Sequence, residues 1–245
     1  MREPIDAVGS KKGRARYPVD LLPKATKGAG KSFAGILADI YRRLHDAYGP
    51  QKWWPADSAF EVIVGAILTQ NTTWNAVEKA IARIQDRGLL SIPALHQTSI
   101  DELSHLVRPA GYFRLKARRL KNFIDLLVAE YAGDLEQMGK LPTGQLRHKL
   151  LAVNGIGPET ADSILLYAFR RPVFVVDAYT LRVMSRHRLI LPKAGYGELQ
   201  GLFMRHLPPD EALFNEYHAL LVQVGKRHCR RTPSCPGCPL EPLLA

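Results

Sequence analysis

Residues 150–183, LLAVNGIGPETADSILLYAFRRPVFVVDAYTLRV, hold two apolar helical stretches joined by Asn154-Gly155-Ile156-Gly157-Pro158, then an extended apolar lead that ends in Asp177. The two glycines can take positive φ and let a phosphate come close to the backbone. Pro158 suits the first turn of the second helix, where its missing N–H costs nothing. Free N–H groups at that helix start, from Gly157 through Glu159 and Thr160, face an anion. A hairpin of this kind holds a nucleic-acid backbone without reading bases. The same residues also satisfy an ordinary helix–helix turn with a glycine C-cap. Asp177 opens the next helix, and an aspartate there serves as an N-cap whether or not it does chemistry.

Outward from this segment, the spacing of apolar residues predicts helices throughout. Phe33, Ile36, Leu37, Ile40, Tyr41 and Leu44 follow the 3.6-residue period, and Tyr48-Gly49-Pro50 ends that helix. The run FEVIVGAIL at 60–68 has the β-branched content of a strand, but no comparable run stands near it to pair with, so it reads as a buried helix. Further helices are expected at 74–86, 99–107, 114–131, 143–153, 159–170, 178–187, 195–205 and 210–227, separated by short Gly- and Pro-bearing connections. The fold class is all-α, without an internal repeat.

The chain has 245 residues, 46% of them hydrophobic, enough for one substantial core or two modest ones. Thirty-four Lys and Arg against 23 Asp and Glu leave a net charge of +11, which attracts a polyanion at long range. Nucleic acid is the leading partner and a membrane surface the second. No apolar run approaches the roughly 18 residues that span a bilayer, and the N-terminus lacks the apolar stretch of a secretory signal. No membrane partner and an intracellular, cytoplasmic location are therefore expected. Residues 1–31 carry Lys11, Lys12, Arg14, Arg16, Lys24, Lys27 and Lys31 with little apolar periodicity, the pattern of a basic flexible arm. Cys229, Cys235 and Cys238 lie within ten residues of one another, a clustering that points to metal in a reducing compartment more than to disulfides.

Taken together, the hairpin and the Val176-Asp177 pair resemble the superfamily of helix-hairpin-helix DNA glycosylases typified by endonuclease III. In that family a Gly-x-Gly hairpin precedes, by about twenty residues, a Val-Asp pair whose carboxylate is catalytic, and Gly157 and Asp177 have that spacing. Ile67-Leu68-Thr69-Gln70-Asn71-Thr72 is similar to the family's Leu-x-x-Gln segment, which occupies the gap left by an extruded base. The resemblance covers residues 32–242. It implies a two-domain helical fold with a DNA-binding cleft between the domains: a continuous domain at 51–171, and a discontinuous one from 32–50 and 172–245. It also implies double-stranded DNA containing a damaged base as the partner of a monomeric enzyme.

The chemistry follows from the resemblance. Cleaving an N-glycosidic bond develops positive charge on the deoxyribose, which a buried carboxylate at Asp177 would stabilise while directing a water. The target base must first leave the stack, and Gln70, beside Asn71, would take its place. Endonuclease III also uses a lysine two residues after the second hairpin glycine to form a Schiff base. Here that residue is Glu159, which cannot form an imine, so hydrolysis without strand nicking is expected. The hairpin, Trp53-Trp54-Pro55 and the Leu-Thr-Gln-Asn-Thr segment look most like 3-methyladenine DNA glycosylases. In that branch Trp53, Trp54, Pro55 and Trp74 would stack on an alkylated base, with Lys226 in the pocket wall. The two tryptophans also suit a domain-joint core. A glycosylase and lyase acting on oxidised pyrimidines or mismatched thymine is a rival reading, and a non-catalytic DNA-structure-binding module is another.

Cluster-bearing members of the family ligate a 4Fe-4S group through Cys-x6-Cys-x2-Cys-x5-Cys. This chain offers Cys229-x5-Cys235-x2-Cys238, with Leu244 where the fourth would fall. A cluster with another fourth ligand, a zinc site that uses His228, and a loop without metal all remain open at the sequence level.

Overall fold

The computed structural model describes Leu22 and residues 32–243. Apart from Leu22, the basic arm expected at 1–31 lies outside the described residues, as does Leu244. The chain divides into two compact units, one built from the N-terminal residues through Pro55 together with Pro172 onward, the other from Ala56–Arg171. The all-α expectation holds: the described residues form helices and connecting turns, with no strand among them. No helix among them is long and apolar enough to cross a membrane.

Helix starts are fixed locally. Ser32, Ser58, Ser91, Ser99, Asp134, Asp177 and Asp210 each accept a backbone N–H from the first turn that follows them. Each such cap is worth about 1 kcal/mol relative to alanine. At Ser58 the arrangement is reciprocal in spirit, because Glu61, which donates its N–H to the serine, accepts the N–H of Asp57.

In the second unit, α2 (Ala59–Leu68) is the buried helix read from FEVIVGAIL, with every residue from Val62 to Leu68 buried. Around it lie α3 (Trp74–Asp86), α4 (Ile92–Gln97), α5 (Ile100–Leu106), α6 (Phe113–Tyr131), α7 (Leu135–Gly139), α8 (Thr143–Ala152) and α9 (Pro158–Ser163). The helix expected at 159–170 is in fact α9 followed by a π turn, Ile164–Ala168, closed by Phe169 N–H donating to the Ile164 carbonyl. The short helices α4 and α7 were not expected, since six and five residues carry too little periodicity to be seen. Asp162, fully buried, is held by two parallel bonds from Arg147, Nε at 2.7 Å and Nη2 at 3.0 Å. Removing one partner of such a pair costs about 3–5 kcal/mol.

The first unit contains α1 (Phe33–Tyr48), α10 (Ala178–Arg186), α11 (Tyr196–His206) and α12 (Glu211–Arg227), and it takes in residues 51–55. Its core is aromatic: Phe174 stacks on Phe203 with centroids 3.9 Å apart, and Tyr217 meets both edge-on. Tyr217 is fully buried and donates its hydroxyl to the Leu37 carbonyl, which satisfies the one polar atom it brings inside. The apolar lead Val173–Val176 is buried and non-helical, with Gln200 donating to the Phe174 carbonyl. This lead delivers Asp177 to the start of α10.

Candidate active site

Asp177 caps α10. Its Oδ1 accepts the Thr180 N–H at 2.7 Å and the Thr180 hydroxyl at 2.9 Å. Its Oδ2 lies 3.5 Å from Nε2 of His218, a residue of α12 that is 6% exposed. Burial pushes the Asp177 carboxyl up, but the His218 contact and the two Thr180 bonds outweigh it and hold the group below the ordinary carboxylate value. The result is an ionised carboxylate in a nearly enclosed place, only 12% exposed, which is what stabilising a nearby cation requires.

Further members of the expected set lie in the same unit, with Trp53 next to the pair. The Trp53 ring meets His218 edge-on at 6.5 Å and Trp54 at 6.2 Å, and Lys226 Nζ lies 5.7 Å from the Trp53 centroid. Pro55 and Lys226 are exposed, and the two indoles are partly covered. Trp74 belongs to the other unit, where its indole N–H donates to Glu78 one turn along α3. Gly225 explains how α10 comes onto α12: a side-chain carbon at 225 would lie 2.3 Å from Tyr179 Cδ1.

The hairpin lies in the second unit and is built more specifically than its glycines suggest. Gly155 has φ +98°, but Gly157 is extended at φ −91° and caps α9. Only the first glycine therefore uses a conformation denied to other residues, and around the second there is open space. Ile156 is buried, Asn154, Gly157 and Glu159 are exposed, and Thr160 is 6% exposed. Asn122 on α6 donates to the Asn154 carbonyl. Gln70 donates to the Gly155 carbonyl at 3.0 Å and to Thr160 Oγ1 at 2.9 Å, while Arg119 donates to its Oε1. The expected gap-filling residue is thus bonded to the hairpin here, and the Thr160 hydroxyl is turned inward. Asn71, next to it, is exposed with φ +54°. Sequence reasoning missed both His218 and Arg119, and no local signal marks either one.

The three cysteines line one cavity of about 30 Å³ with His187 and His228. The loop is held to α10 by arginines: Arg182 donates to the Cys229 carbonyl, and Arg186 donates to Cys229 Sγ at 3.3 Å and to the carbonyls of Arg230 and Arg231. Burial pushes the Cys238 thiol up, reinforced by the neighbouring cysteines. Among the described residues no group of three His, Cys, Asp or Glu is arranged to hold a metal ion, and the chain contains no fourth cysteine. The residues present therefore do not fit a four-thiolate cluster.

A helical fold that carries a glycine hairpin and a helix-capping, ionised aspartate after it defines a class of DNA-repair enzyme. The sequence pattern of the HhH-GPD superfamily of base excision DNA repair proteins matches residues 64–209, and the chain belongs to that family. It is a DNA glycosylase, a hydrolase of the N-glycosidic bond. A Methanocaldococcus jannaschii protein named as a DNA repair glycosylase is 48% identical over 84% of this chain and 94% of its own length. Endonuclease III of Sulfolobus acidocaldarius is 30% identical over 74% of this chain and 79% of its own. The Helicobacter pylori 3-methyladenine DNA glycosylase bound to 1,N6-ethenoadenine aligns with TM-score 0.68 and 26% identity, over 78% of this chain and 96% of that one. An endonuclease III–DNA complex aligns with TM-score 0.74 over 86% and 94% of the two chains, at 22% identity, and so shares the fold.

Proposed function

We propose that this glycosylase acts as a monomer on double-stranded DNA, hydrolyses the bond to an alkylated purine of the 3-methyladenine type, and leaves an abasic site. The observation that carries the reading is that His218 contacts both the ionised Asp177 and the Trp53 ring, which in turn has Trp54 and Lys226 beside it. An electron-rich indole face favours a cationic alkylpurine, whose charge also makes it a good leaving group. Lys226 is exposed beside the Trp53 ring. The likeness to the Helicobacter pylori 3-methyladenine enzyme supports the same substrate class.

In the proposed reaction the glycosidic electron pair leaves with the base, Asp177 stabilises the positive charge on the sugar, and water adds to the sugar carbon as its proton is lost towards the carboxylate or solvent. Gln70 leaves the hairpin to fill the vacancy in the duplex, with Asn71 beside it. Asn154, Gly155, Ile156 and Gly157 hold the phosphate backbone at the hairpin, next to Glu159 and Thr160. Because Glu159 is an exposed carboxylate at the position of the family lysine, no Schiff base forms. The cysteine loop takes no part in the chemistry.

The test is incubation with a methylated duplex, scoring free base, beside borohydride trapping on a thymine-glycol duplex. Release of 3-methyladenine without a trapped adduct is expected. A trapped protein–DNA adduct would instead establish the glycosylase and lyase reading on oxidised pyrimidines, and binding without release of any base would leave a DNA-binding module.

A further inference from the structure

Asp177 uses its two carboxylate oxygens differently. Oδ1 accepts both Thr180 bonds and is committed to starting α10, so Oδ2 is the oxygen left to meet a sugar or a water. The neighbour of Oδ2 is Nε2 of His218 at 3.5 Å. His218 stands on a stretch of α12 whose buried residues run from Tyr217 to Val222, where a polar ring costs free energy unless it has a partner. Its placement is set from two sides. The Trp53 ring meets it edge-on, and the close seat of Tyr179 on Gly225 brings the start of α10 to α12.

We infer that His218 is a positioning residue: through Nε2 it holds Oδ2 of Asp177 in the orientation from which the carboxylate faces the reacting sugar. The inference rests on Asp177 being the catalytic carboxylate. The contact, 3.5 Å from Nε2 to Oδ2, comes from α12 to a carboxylate that stays ionised, so it orients the group and leaves it able to act on the sugar cation. The charged groups placed around the imidazole are Asp177 itself and Lys226 across the Trp53 ring. Thr180 anchors the other oxygen, so the carboxylate is held at both ends and cannot turn about its own bond. A group held in this way spends no free energy on orientation at the moment of reaction.

The experiment compares wild type with His218→Gln, His218→Asn, His218→Phe and Asp177→Asn in single-turnover base release and duplex binding across a pH series. Glutamine reaches Oδ2 with an amide N–H, whereas asparagine is too short and phenylalanine has no donor. The Asn and Phe variants should lose about 10- to 100-fold in the single-turnover rate constant with Kd for DNA nearly unchanged, and Gln should recover most of the rate. The acid limb of the rate profile should move to higher pH in the Asn and Phe variants, because burial then raises the Asp177 carboxyl without its His218 counterweight. If His218→Phe does not fold, the Gln and Asn pair decides alone. Wild-type rates and an unmoved acid limb in a folded Asn variant would overturn the inference. Full activity in Asp177→Asn would overturn the catalytic assignment beneath it, which is a separate outcome.

Discussion

Tyr179 lies so close on Gly225 that a side-chain carbon at 225 would stand 2.3 Å from Cδ1 and 2.9 Å from Cβ of the tyrosine. The contact reaches the root of the side chain, so a rotamer change cannot relieve it. Gly225→Ala should therefore lower stability by about 1–3 kcal/mol, despite the better helix propensity of alanine. It should also reduce base release, because α10 carries Asp177 at its start. Urea denaturation and single-turnover rates check both parts.

Asp177 has two roles that one substitution separates. Asparagine caps a helix about as well as aspartate, so Asp177→Asn should fold with stability within about 1 kcal/mol of wild type. Its base-release rate should fall by at least 10²- to 10³-fold, roughly the loss seen when one preorganised electrostatic group is removed. Duplex binding should persist, and a gel-shift assay beside the rate measurement reads both. In the wild type, a carboxyl held below its ordinary value should keep the enzyme active into mildly acidic solution.

Gly155 combines φ +98° with an Arg119 side chain that lies 2.3 Å from where a Cβ would stand. Gly155→Ala should cost about 1 kcal/mol or more and displace Arg119 from Gln70. Affinity for undamaged duplex should fall along with affinity for damaged duplex, because the hairpin touches backbone and not bases. Gly157→Ala, in open space at ordinary φ, should lose only the small advantage of glycine over alanine at an N-cap, under about 1 kcal/mol, so comparing the two variants tests the hairpin reading directly.

Lys116 is 1% exposed and donates to the Ala110 carbonyl at 2.6 Å, and burial, helped by Arg119, lowers its pKa to about 8. The unfolded chain, with the ordinary lysine value of 10.5, binds the proton more tightly than the folded one. Wild-type stability should thus rise relative to Lys116→Met as pH climbs from about 8 to 10.5, and stay level below that window. Denaturation of both proteins across the window gives the slope and its sign.

Where the long helices run can be read from the sequence. Their information is local: an apolar period of 3.6 residues, a Ser or Asp cap, and a Gly or Pro at the end all lie within one element. FEVIVGAIL was legible as a helix because nothing beside it could pair as a strand. Asp177 was legible as well, since its capping role and its spacing from the hairpin are both read along the chain. The break into α9 and a π turn was not, because the residues of 159–170 keep an apolar pattern through the change in hydrogen bonding.

Tertiary structure alone decided how the site is assembled. Nothing near position 218 marks a histidine that will face Asp177, because the two meet only when α12 packs on α10 over Gly225. Likewise the sequence reads Gln70 as gap-filling, but its bonds to Gly155, Thr160 and Arg119 come from the hairpin and α6. The cysteine spacing does not reveal that Arg182 and Arg186 of α10 bond the loop that carries Cys229. Short-range periodicity encodes which residues are helical, whereas the partner of a polar atom depends on segments far apart in the chain.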